Sequence, residues 1–184
     1  MPYSYSITDS NLYVTITAAD DARVEDINHT LKQLDERMGG KIFQLFDADK
    51  ITEPNHVYYA AANAYYAIEK GINISNKLDV ETLLYVSAQN QISKAINLVG
   101  VSKETRRIAV IVISEIEKDN DAKRIADYLG NLNDDLLQPS QKKYEALRNL
   151  YEITQTTIDA VGGDKYKALT SLITEKGALI SLKR

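Results

Sequence analysis

The chain has 184 residues, 44% hydrophobic and 26% charged, which is the composition of a folded globular domain and excludes wholesale disorder. It contains no cysteine and only two histidines, so a disulfide framework, a thiolate metal site and a histidine-rich metal cluster are excluded. The net charge of −4 argues against a protein that coats nucleic acid through its overall field. We expect one cytoplasmic domain over residues 1–184, without metal or cofactor and without a membrane span or export signal.

The first part of the chain predicts a strand pair, a helix and a further strand. Residues 12–17 alternate between apolar and polar side chains, and residues 3–7 can pair with them across a turn. Apolar residues then recur every three or four positions from Val24 to Met38, which predicts an amphipathic helix that ends at Gly39. The next strand is predicted over residues 41–47.

Helices dominate the middle of the chain. Thr52 is expected to cap a helix that has Pro54 in its first turn and runs to Lys70. Two more helices are predicted, one capped by Asp79 and one over residues 89–99. Residues 107–114 are apolar on both alternating faces, so we expect this strand at the centre of the sheet.

The last part of the chain predicts three helices, about residues 117–129, 141–161 and 165–174, with a loop at residues 130–140. The complete pattern predicts an α/β fold. We expect a single domain with a small three- to four-stranded mixed or antiparallel sheet and predominating helices.

Asp47 and Asp49, at the end of a predicted strand, are the strongest indication of an enzyme. Haloacid-dehalogenase-type phosphatases place an aspartate pair at such a strand end, with a magnesium ion bridging to the phosphate. That site also needs a lysine and further acidic residues at the ends of later parallel strands, and the only later strand here ends in Ser114-Glu115. A metal-dependent phosphatase-like enzyme is therefore the alternative to a non-catalytic protein.

Two other features favour a binding function. Asn90 and Lys94 stand four residues apart in the helix predicted over residues 89–99, so they share a helix face that could grip a single-stranded nucleotide. The segment 177–182 is too apolar for a free terminus, because frayed ends are normally polar. It should pack on the body of the protein or belong to a partner surface.

Six segments, in order along the chain, resemble the small kinase-binding subunit of the KEOPS complex (also called EKC), a transfer-RNA-modifying assembly. They are FQLFDA at residues 43–48, NHV at 55–57, NIS at 73–75, ETLLY at 81–85, QISKAI at 91–96 and EKGALI at 175–180. Over the first forty residues only the order of strand and helix agrees. The resemblance leads us to expect an archaeal source.

The resemblance implies a non-catalytic regulatory subunit that binds a Bud-type atypical protein kinase and, indirectly, the Kae-type and Pcc-type subunits. The Kae-type subunit transfers threonylcarbamoyl to the adenosine beside the anticodon, and archaeal relatives are implicated in gripping the CCA end of transfer RNA (tRNA). Our candidates for tRNA binding are Lys94, Asn90, Lys70, Lys77 and Arg107. Our candidates for kinase binding are Ile173, Leu179 and Leu182.

One position departs from the family pattern. Relatives usually have Arg-Gln-Ile where this chain has Asn90-Gln91-Ile92. Because a guanidinium is a strong group for contacting phosphates and stacking on bases, we expect weaker RNA binding here than in relatives that keep the arginine.

Overall fold

A computed structural model describes residues 1–182 of the chain. Its strands form one antiparallel sheet in the order β1-β2-β4-β3, and a two-residue strand, β5, pairs with the end of β2. The strands are β1 (Tyr3–Ser6), β2 (Tyr13–Asp20), β3 (Ile42–Asp47), β4 (Ile108–Ser114) and β5 (Asn131–Leu132). The predicted fold class is confirmed, with β5 as a short fifth strand inside the segment predicted as a loop.

The helices of the described part are α1 (Ile27–Met38), α2 (Pro54–Glu69), α3 (Leu78–Ser87), α4 (Ile92–Val99), α5 (Asn120–Leu129), α6 (Gln141–Leu150), α7 (Gln155–Val161) and α8 (Lys165–Ala178). The single helix predicted over residues 141–161 is wrong, because the chain breaks between α6 and α7. There Glu152 adopts a left-handed backbone conformation with φ of 52°, which a continuing helix does not allow.

Two predicted helix caps are also wrong. Pro54 fixes the first position of α2, so the N-cap falls on Glu53, while the backbone N–H of Thr52 donates to the Nδ1 atom of His56. Lys77 is the N-cap of α3, and Asp79 lies inside the first turn, where a carboxylate favours the helix dipole.

Helices cover both faces of the sheet. Phe46 and Ile111 point into a core shared with α2 and α3, whereas Leu45 and Val112 point into a core shared with α1 and α5. Strand β4 pairs with β2 on one side and β3 on the other, and all its residues up to Ile113 are buried, so its predicted central place is confirmed.

The C-terminal helices form a third cluster beside the first core. Buried residues of α6, α7 and α8 pack together, and α8 lies against α2 and α3. Gly177 permits the close approach of α8 to α3, because a Cβ atom there would lie 2.4 Å from the carbonyl oxygen of Tyr85. None of the helices in residues 1–182 combines the length and apolar character needed to cross a membrane.

Candidate interaction surfaces

The C-terminal end of α8 both packs on the protein and exposes apolar side chains. Ile180 is buried and anchors the 3₁₀ turn that follows α8, while Leu179 is 40% exposed and Leu182 is 76% exposed. Ile173 is completely buried within α8, because it faces the cluster shared with α6 and α7. As a candidate kinase contact Ile173 therefore needs correction: its side chain belongs to the core.

A small cavity of about 200 Å³ lies beside this turn, between the end of α2 and residues Ala178 and Ser181. Lys70 and Ile72 line the cavity, and Ile72 is 41% exposed. We call the exposed residues Ile72, Leu179 and Leu182, together with this cavity, the C-terminal surface. Lys70 thus lies beside the turn that follows α8.

A second, more polar cleft lies next to the start of α4. Its volume is about 420 Å³, and we call it the Asn90 cleft because Asn90 lines it together with Leu98, Glu152 and Lys176. The Lys176 ammonium donates to the backbone carbonyl of Tyr151 at 2.6 Å. That bond satisfies a carbonyl at the C-terminal end of α6 and keeps a positive charge in the wall of the cleft.

Lys94 and Asn90 do not share a helix face as the sequence suggested, because α4 begins only at Ile92. Lys94 lies on the same side of α4 as one residue of the cleft. It stands one helical turn before Leu98, which lines the cleft, and its own side chain is exposed. Asn90 therefore lines the cleft, whereas Lys94 is not one of its lining residues.

The remaining tRNA candidates lie elsewhere. Lys77 lines a groove beside β3, while Arg107 makes an ion pair with Asp49 at the start of β4. The five predicted residues are thus distributed over several clefts and do not form one basic patch. Sequence reasoning missed Lys176, because a lysine in the last turn of a helix is common and carries no distinctive signal.

The two aspartates of the phosphatase alternative have structural partners. Asp47 accepts the backbone N–H of Asp49 at 3.0 Å and caps a 3₁₀ turn, and burial raises the pKa of the Asp47 carboxyl. Strand β4 is antiparallel to β3, so Ser114 lies at the opposite end of the sheet from Asp47. Within residues 1–182 there is no group of three or more metal-ligating side chains, and this geometry does not support a phosphatase site.

Lys143, on α6, lines a cleft of about 260 Å³ with Arg107 and Asp49. Burial lowers the pKa of its ammonium to about 8, and the ammonium donates to the carbonyl of Leu136 at 2.9 Å. With cations and carboxylates in near balance, this cleft has no clear preference for an anion or a cation.

The fold and these surfaces define an antiparallel α/β domain with open clefts and exposed apolar side chains suited to binding other macromolecules. The family model described as Kinase binding protein CGI-121 matches residues 22–180, and the chain belongs to this family. The family inferred from the six motifs is thereby confirmed. A comparison with curated proteins found no match.

Proposed function

We propose that this chain is a non-catalytic, kinase-binding subunit of a KEOPS-type assembly. It binds a Bud-type atypical protein kinase and, through that kinase, is linked to the Kae-type and Pcc-type subunits that modify tRNA. The single observation that carries the proposal is membership, over residues 22–180, in a family of kinase-binding proteins.

The C-terminal surface is our candidate for the kinase contact. Leu179 and Leu182 are exposed at the turn after α8, and Ile72 is exposed beside the cavity that this turn helps to line; exposed apolar side chains of this kind are typical of protein interfaces. Buried Ile180 holds the turn between the two leucines in place, so the surface is preformed. Preformed apolar contacts cost little ordering entropy on binding.

The kinase contact is tested by placing a charge on this surface. Leu179→Asp and Leu182→Asp should each weaken kinase binding at least tenfold, because each buries a carboxylate against an apolar partner surface. Val161→Asp is the matched control, since Val161 is 51% exposed on α7. Affinity measured by calorimetry that is equal for all three variants would exclude the C-terminal surface.

We further propose that the Asn90 cleft receives the single-stranded CCA end of tRNA and so recruits the substrate for threonylcarbamoyladenosine formation. Lys176 in its wall and the exposed Lys94, one helical turn from the lining residue Leu98, supply positive charge on a protein of net charge −4, and Glu152 is the carboxylate in the wall. The volume of about 420 Å³ suits a nucleotide. Arg107 and Lys70 are left out of this contact because they line other clefts.

The RNA contact is tested with tRNA that has or lacks its CCA end. Binding should require the CCA end and should fall about tenfold in Lys94→Glu, which replaces attraction to a phosphate by repulsion. Lys123→Glu, at an exposed position on α5, is the matched control. If binding is the same with and without the CCA end, or if the two variants behave alike, only the kinase contact remains.

A further inference from the structure

A groove of about 510 Å³ runs along the outer edge of β3, on a different part of the protein from the C-terminal surface and the Asn90 cleft. Residues 42–45 of β3 form its base. One wall comes from α1, with Ile27 and Leu31, and the other from α3 and α4, with Leu83, Ile92 and Ile96. We call this feature the β3 groove.

The base of the groove is the outer edge of β3, with which no other strand of residues 1–182 pairs. In an antiparallel pair, alternate residues direct both backbone groups to the partner strand and the others direct them away. The N–H of Leu45 donates to the side-chain Oε1 atom of Gln44 at 2.9 Å, so Leu45 faces outward, and Phe43, two residues before it, does the same. The edge therefore offers the backbone groups of Phe43 and the carbonyl of Leu45 to a ligand.

The walls continue both helical layers beyond this edge. A strand added to β3 would send alternate side chains toward α1 and toward α3 and α4, and both walls are apolar. Ile92 is 44% exposed and Ile96 is 50% exposed, at two positions one turn apart on α4. No local feature of the α4 sequence explains why two isoleucines on the same side of this helix are exposed.

The charges of the groove favour a peptide over a nucleic acid. Asp35 and Asp79 line it and have no ion-pair partner among residues 1–182. Two lysines also line the groove. Lys41 is paired with Asp119 and Asp121, so only the positive charge of Lys77 offsets the two carboxylates of Asp35 and Asp79. Such a balance repels a phosphate chain and attracts a basic side chain.

We propose that the β3 groove binds an extended, apolar segment of a partner protein that carries a lysine or arginine, by addition of that segment to the edge of β3. Backbone bonds to Phe43 and Leu45 give register, and the two walls select apolar side chains. This proposal does not depend on which kinase the chain binds.

The probe is a library of random octapeptides displayed on phage, selected against the full chain. Selected peptides should be rich in β-branched residues and carry a basic residue, and their synthetic forms should protect the Phe43 amide from hydrogen exchange. Ile96→Glu should weaken their binding at least tenfold, whereas Ile116→Glu, at a position 56% exposed elsewhere, should leave it unchanged.

Gln44→Ala provides a second, independent variant. It removes the side-chain oxygen that competes for the Leu45 N–H, so binding of the same peptides should become several-fold tighter. The proposal is overturned if no peptide is selected above background, if binding is insensitive to Ile96→Glu, or if an RNA oligonucleotide ending in CCA, rather than a peptide, protects the Phe43 amide.

Discussion

His56 is a buried histidine that links two helices, α2 and α3. On α2, its Nε2 atom lies 3.0 Å from the carbonyl oxygen of Val86 on α3, and the Tyr151 hydroxyl donates to the same oxygen at 2.9 Å. The Nδ1 atom accepts the Thr52 N–H at 3.4 Å, which is consistent with a neutral ring protonated on Nε2. Burial lowers the pKa of His56 to about 4.

This shift makes the stability of the protein depend on pH. The unfolded chain binds a proton on His56 near pH 6.5, whereas the folded protein does so only near pH 4. The contribution of the neutral His56 ring to the stability of the fold is therefore complete above about pH 6.5 and is lost as the pH falls toward 4. We expect His56 to remove on the order of 3 kcal/mol of unfolding free energy across this window. Urea unfolding at several pH values measures it.

The two histidines of the chain provide a matched pair for this experiment. His56→Gln should lower stability at pH 7, because a packed ring is lost, but should give a shallower decline between pH 6.5 and 4. His29→Gln, at an exposed position on α1, should keep the steep decline of the original protein. Parallel curves for both variants would assign the acid sensitivity to the carboxylates instead.

At the scale of elements, the packing of α8 on α3 depends on one residue without a side chain. Gly177 brings the backbone of α8 against the carbonyl of Tyr85, and α3 in turn packs on α2 through its buried residues. The position of α8 sets the place of the turn that exposes Leu179 and Leu182. The C-terminal surface is therefore coupled to this helix crossing.

Gly177→Ala should separate the two helices, because its new methyl group would meet a backbone oxygen that has little freedom to move. Overpacking of this kind typically costs about 1–3 kcal/mol. Urea unfolding should detect the loss, and Ala178→Ser, at the next and exposed position, is the control. Equal stability of the two variants would mean that the crossing relaxes without cost.

At the scale of the whole molecule, the surfaces are separated by their chemistry. The C-terminal surface exposes apolar side chains, the Asn90 cleft has polar walls that include Lys176 and Glu152, and the β3 groove is apolar with two carboxylates that have no ion-pair partner among the described residues. An acidic protein that binds RNA does so through a few local charges, so the proposed RNA contact should be weak and sensitive to salt.

The salt dependence of tRNA binding provides a quantitative check of this separation. Each phosphate contact on a single strand contributes about 0.7 to the slope of log affinity against log salt concentration. Lys94→Glu should reduce the slope by roughly one such contact, and Asn90→Arg should increase both slope and affinity by restoring a guanidinium. Fluorescence anisotropy between low and moderate salt measures both. An unchanged slope in both variants would place the RNA contact elsewhere.

The sequence determined the elements whose signals are local. Period-two alternation and β-branched residues located β1 to β4 but not the two-residue β5, and the doubly apolar segment at residues 107–114 identified the central strand. The six motifs identified the family. Helix ends were less accurate at α2, α3 and α4, because a cap depends on backbone geometry that several neighbouring residues can supply.

Only the tertiary structure decided which side chains are available. Ile173 and Leu182 are equally apolar in the sequence, yet one is in the core and the other is exposed, because the neighbours that cover α8 come from remote segments. Lys70 and Arg107 are predicted with Lys94 as tRNA-binding candidates, and the fold places Lys70 and Arg107 in different clefts. Periodicity is a property of one segment, whereas a surface is made by segments that the sequence keeps far apart.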